Sequence, residues 1–71
     1  MDYIPVSSSD LSAVAYDDAT STLGVRFVKG GEYHYYGVPQ ATFEGLRSAS
    51  SVGRYFDQYV KKAGYSYSRV G

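Results

Sequence analysis

Residues 23–36 read LGVRFVKGGEYHYY, and no other stretch constrains the fold of this chain so tightly. Two alternating runs flank a glycine pair, the pattern of a β-hairpin. In the first run Leu23, Val25 and Phe27 share one face, while Gly24, Arg26 and Val28 occupy the other. The turn then sets which residues of the return strand join the apolar face. A two-residue Gly30-Gly31 loop would pair Phe27 with His34 and bury the histidine. A three-residue loop, Lys29-Gly30-Gly31, pairs Phe27 with Tyr33, Val25 with Tyr35 and Arg26 with His34. It also puts Gly31 where such a hairpin needs a left-handed residue. The second register is preferred, since a one-residue slip would turn every side chain over. Tyr33 and Tyr35 then face the core, and His34 and Tyr36 face away.

The flanking sequence extends this hairpin. Leu11 opens LSAVAYDD, a short strand of small residues closing with Tyr16, and DDATST is a turn whose side chains can bond their own backbone. Beyond Tyr36 the period changes. Pro39 suits the first position of a helix whose inner face is Phe43, Leu46 and Ala49. Gly45 weakens that helix by about 1 kcal/mol relative to alanine, so it must lean on packing. Ser50 or Ser51 can cap a second helix, with Val52, Tyr55, Phe56, Tyr59 and Val60 as its apolar stripe. Lys61 and Lys62 suit its negative end, and Gly64 stops it. YSYSRV alternates as an extended segment. The expected architecture is α+β, one domain over residues 1–71: a three-stranded antiparallel β-meander, two short helices and an extended C-terminal segment.

Seventy-one residues lie near the lower limit for a self-sufficient core. The nine tyrosines and three phenylalanines bring large apolar area, and each tyrosine also a hydroxyl that needs a partner or water. There is no cysteine, which removes disulfides, thiolate catalysis and thiolate metal sites. A small aromatic-rich domain is expected to pair with itself across a twofold axis to cover an apolar patch. No run is apolar enough to span a bilayer, and the start, MDYIPVSSSD, lacks a signal core, so the expected location is the cytoplasm. Net charge is zero but uneven. Residues 1–44 carry Asp2, Asp10, Asp17, Asp18, Glu32 and Glu44 against Arg26 and Lys29, a balance of −4. Residues 45–71 carry Arg47, Arg54, Lys61, Lys62 and Arg69 against Asp57, a balance of +4.

VSSSDLSAVAYD, TLGVRFVKGGEYHYYGVP, FEGL, SVGRYFDQYV and the final Tyr-x-Tyr-x-Arg, in this order, resemble the KTSC domain. That family is named for a C-terminal extension of some lysyl-tRNA synthetases and also occurs as stand-alone bacterial and phage proteins. Its Ser-Ser pair matches Ser8 and Ser9, its Tyr-x-Tyr Tyr33 and Tyr35, and its Gly-Val-Pro Gly37 to Pro39. Its Ser-x-Gly-x-Tyr-Phe matches Ser51, Gly53, Tyr55 and Phe56. The chain departs at Asp57, where the family more often has asparagine; a carboxylate cannot donate the bond an amide can. The synthetase fusion implies RNA as a partner.

Chemistry is sparse. One histidine without cysteine offers no metal-ligand spacing, and Asp17-Asp18 reads as a turn. His34 as a base for Ser8 or Ser9 lacks a nucleophile elbow, and Ser7 to Ser9 read better as backbone-bonding residues. No phosphate-binding loop or dinucleotide fingerprint is present. The chain reads as non-enzymatic, with no catalytic residue, metal or cofactor. Binding fits better: aromatic faces stack bases at about 1–3 kcal/mol each, and arginines neutralise phosphates. Arg26, His34 and Tyr36 on the outer sheet face, with Arg54 and Arg69, are the candidate ligand-binding residues for single-stranded RNA or a nucleotide. The neutral composition argues against tight duplex binding. The alternative is a protein–protein or homo-oligomerisation module, since interfaces also favour tyrosine.

Overall fold

A computed structural model describes residues 1–71. Its centre is one antiparallel sheet of five strands in sequential order: β1 (Ile4–Pro5), β2 (Leu11–Asp17), β3 (Thr22–Phe27), β4 (Glu32–Tyr36) and β5 (Tyr67–Arg69). The expected three-stranded meander is therefore β2 to β4, and it gains a strand at each side. β1 is two exposed residues ending in proline, too short to show a period, and it blunts the edge of β2. β5 is the extended C-terminal segment, paired with β4 as Tyr33↔Arg69, His34↔Ser68 and Tyr35↔Tyr67.

The hairpin keeps its faces but not its expected register. Val25 pairs with Tyr33, Leu23 with Tyr35 and Arg26 with Glu32, so each partner moves by two residues. The loop still spans three residues, but it is Val28-Lys29-Gly30. Phe27 N–H donates to the Gly31 carbonyl at 3.1 Å, and Gly30 N–H to the Phe27 carbonyl at 3.0 Å. Gly30 and Gly31 take φ of 107° and 95°. Both glycines can be left-handed at little cost, so glycine alone could not choose between loops one residue apart. A two-residue shift conserves the pleat, and Tyr33 and Tyr35 still face the helices.

A bulge between Leu11 and Ala13 lets both Leu11 and Val14 enter the core, where strict alternation would have separated them. Two helices cover that face. α1 (Gln40–Ser48) begins just after Pro39, which is its N-cap, and buries Phe43 and Leu46. α2 (Val52–Phe56) is capped by Ser51, whose side chain accepts from the Arg54 amide. It continues as one π-helical turn over residues 57–61, closed by Lys62 N–H to the Asp57 carbonyl. Val52, Phe56 and Val60 point inward. Gly45 is where Tyr55 crosses α1, and a Cβ there would collide with the phenol. No helix is long and apolar enough to cross a membrane.

Candidate functional site

Small residues make the outer sheet face a shelf. Gly24 sits beside Ala15 on β2 and His34 on β4. Tyr3, arriving from the N-terminus, lies directly on Gly24, where a Cβ would strike its ring. The Arg26 guanidinium stacks 3.8 Å above the Tyr3 centroid and donates through Nε to Glu32 Oε1 at 3.0 Å. The Tyr3 hydroxyl donates to Glu32 Oε2 at 2.9 Å, and His34 Nε2 stands 4.0 Å from that oxygen. Burial, then the bond to Glu32, push the Tyr3 phenol up to about 12. The hydrogen bond from Arg26, followed by that from Tyr3, holds the Glu32 carboxyl below its usual value. His34 and Tyr36 meet edge to face at 6.5 Å, and the Tyr36 hydroxyl shares a 2.6 Å hydrogen bond with Ser68 Oγ.

Arg26, His34 and Tyr36 thus do gather on one face, as expected, but their polar groups are largely committed to Tyr3, Glu32 and Ser68. Arg69 and Arg54 are elsewhere. Arg69 projects on the helix side of β5, 5.9 Å over Tyr33, with Nε bonded to the Gly71 carbonyl at 3.0 Å. Arg54 is exposed on α2, beside a polar cleft of about 620 Å³ edged by serines 7–9, 50 and 51. Ser8 Oγ accepts the amides of Asp10 and Leu11 at 3.1 and 3.3 Å, a backbone-bonding role as its sequence context suggests.

A second hollow, about 720 Å³, opens on the helix side between the hairpin and α2. Its wall is a continuous aromatic cluster. Phe56 meets Phe27 at 5.6 Å and Tyr35 at 5.5 Å, both edge to face, and Tyr67 tilts over Tyr35 at 5.4 Å and Tyr33 at 6.1 Å. Tyr35 is 6% exposed and Tyr67 62% exposed, so the cluster grades from core to solvent. Buried tyrosines usually bond their hydroxyl to a protein group, as Tyr16 does to the Val38 carbonyl. The hydroxyls of Tyr33, Tyr35 and Tyr67 take no protein partner, those of Tyr33 and Tyr35 are not shut away from solvent, and all three residues line the hollow. Burial raises the Tyr35 phenol, and the neighbouring phenols of Tyr67 and Tyr33 add to it. Lys29 and Lys61 stand at the rim without ion pairs, and Asp10 and Asp57 stand on the wall. Reading Tyr33 and Tyr35 as core alone had hidden this site. The signal that could have found it was the number of tyrosine hydroxyls on one apolar face.

A five-stranded meander under two helices, with aromatics of the sheet left open at one end, defines a small α+β domain with a ready-made groove. The KTSC domain family model matches residues 7–70, and the chain belongs to that family. A crystal structure of a KTSC domain protein from Yersinia pestis superposes with a TM-score of 0.91 at 36% identity, covering 99% of this chain and 97% of that one. A protein of Tsukamurella paurometabola is 44% identical over 57 residues, 80% of this chain and 85% of its own. A lysine–tRNA ligase of Nostoc sp. is 38% identical over 53 residues, 75% of this chain but 9% of the ligase.

Proposed function

We propose that this domain is a non-catalytic binding module of the cytoplasm that holds single-stranded RNA or a nucleotide by stacking a base in the aromatic groove. The observation that carries the reading is the trio Tyr33, Tyr35 and Tyr67, which line an open hollow of mixed aromatic and charged residues and whose hydroxyls take no protein partner. Such a site offers a flat ligand both ring faces and polar groups at its edge. Lys29 and Lys61 supply unpaired positive charge at the mouth for phosphate, and Arg69 lies beside Tyr33. The similarity to a stretch of a lysine–tRNA ligase supports RNA as the class of ligand. This reading retains Arg69 from the expected set and moves the stacking surface from Tyr36 to Tyr67.

The test is an NMR titration of the labelled domain with mononucleotides and short single-stranded RNA. Shifts confined to Phe56, Tyr67 and Lys61, weakening as salt rises, are the expected outcome. A titration that leaves those signals still would remove the proposal. A second reading, self-association, is favoured by β5, a free edge with Tyr67 62% and Val70 48% exposed. Sedimentation that finds a monomer at high micromolar concentration would exclude it.

A further inference from the structure

We propose that the groove selects guanine, reading its Watson–Crick edge with the Asp10 carboxylate; this rests on the base-binding reading above. Two acids stand on the groove wall, and they differ in engagement. Asp57 Oδ2 is held by Lys62 Nζ at 3.2 Å. Asp10 makes no hydrogen bond or ion pair through its carboxylate, although its own amide is bonded to Ser8 Oγ. The carboxylate leans on the bare backbone of Gly53, one helical turn before Asp57, where an added Cβ would lie 3.3 Å from Oδ2. It is exposed, unpaired and free to accept, on a stretch of lining that this groove shares with the serine cleft.

The chemistry of an ionised carboxylate narrows the base. It has two oxygens side by side and can only accept. Guanine presents two adjacent donors, N1–H and N2–H₂, and forms a two-bond fork with such a group. Adenine and cytosine each place an acceptor nitrogen beside their amino group, and uracil flanks its one N–H with carbonyls, so each would turn a lone pair toward Asp10. An independent observation points to an occupant at the same place. Tyr35 is 6% exposed and lines this groove, its hydroxyl takes no protein partner, and that oxygen is not shut away from solvent. With Tyr33 and Tyr67 it provides hydroxyls, donor or acceptor as needed, for the carbonyl and ring-nitrogen edge of the purine. Lys29 and Lys61 remain for the phosphate.

The experiment is calorimetric titration of the intact domain with GMP, IMP, AMP, CMP and UMP, repeated with Asp10→Asn and Tyr67→Ala. GMP should bind about tenfold or more tighter than AMP, as for one well-made bidentate contact. IMP, which lacks the 2-amino group, should fall between them. Asp10→Asn should bring GMP down to the AMP level and leave AMP unchanged, while Tyr67→Ala should weaken every nucleotide. Asp10 is exposed, so the variant should melt with the parent; the GMP-to-IMP ratio in the parent tests the idea without any substitution. Equal binding of GMP, IMP and AMP, or a guanine preference that survives Asp10→Asn, would overturn the guanine assignment and leave base binding intact. Binding by none of the five would overturn both.

Discussion

Tyr3 and Gly45 show how single residues acquire meaning only from what lies against them. Folding raises the Tyr3 phenol from 10.0 to about 12, so the folded state holds that proton more tightly. The contribution is complete below pH 10 and disappears as pH climbs from 10 toward 12. Glu32 works in the opposite sense. Its folded value is depressed, so its contribution is present above the ordinary 4.5 and fades as pH falls through the lower folded value. Melting temperature against pH should therefore drop less steeply above pH 10 in Tyr3→Phe than in the parent, and Glu32→Gln should flatten the acid limb. Tyr35 is present in both proteins, so the alkaline difference isolates Tyr3. Gly45 makes the second case. Helix propensity alone gives Gly45→Ala a gain of about 1 kcal/mol, but the new methyl collides with Tyr55, and overpacking costs about 1–3 kcal/mol. Urea unfolding should show a net loss in the parent and a gain once Tyr55→Ala has cleared the space.

At the level of elements, legibility followed the strength of the period. The faces of β3 and β4 were readable because Leu23, Val25, Tyr33 and Tyr35 alternate cleanly, and both pairings keep them inward. Their offset was not, because two adjacent glycines accept either loop and burial is indifferent to a shift of two. The α2 stripe was visible at Val52, Phe56 and Val60, but its π-helical turn follows from a backbone bond with no composition signal. Arg26, His34 and Tyr36 were read onto one face correctly, while Tyr3, which occupies that face, lies outside any periodic run. The groove escaped because it is built by β5, a three-residue strand whose partner no local pattern names. That strand is the element to perturb. Proline at Ser68 removes the N–H opposite His34 at the centre of β5. Ser68→Pro should speed exchange at the Tyr36 amide, which bonds Ser66, while Val25 amide exchange stays slow within β3. Equal acceleration of both would mean that β5 is part of the cooperative core and not a detachable wall.

For the whole molecule the margin is thin. A chain of this length holds roughly 4–10 kcal/mol of stability, and its core contains only 11 buried apolar side chains in one cluster. The same aromatic cluster closes that core and lines the groove, so binding and folding share residues, and the burial gradient separates them. Tyr35 is wedged against Phe56 at 6% exposure, and its loss should cost about 3–5 kcal/mol, enough to unfold much of the population. Tyr67 is 62% exposed and surrenders little buried area, so Tyr67→Ala should fall within about 1 kcal/mol of the parent. A thermal melt beside a nucleotide titration should find Tyr67→Ala folded and weakened in binding, and Tyr35→Ala lost to both measurements. Should Tyr67→Ala unfold as readily as Tyr35→Ala, Tyr67 would belong to the core and not to a surface free to take a ligand. Should it stay folded and bind as the parent does, the stacking face would have to be sought on the other side of the sheet, at Tyr36.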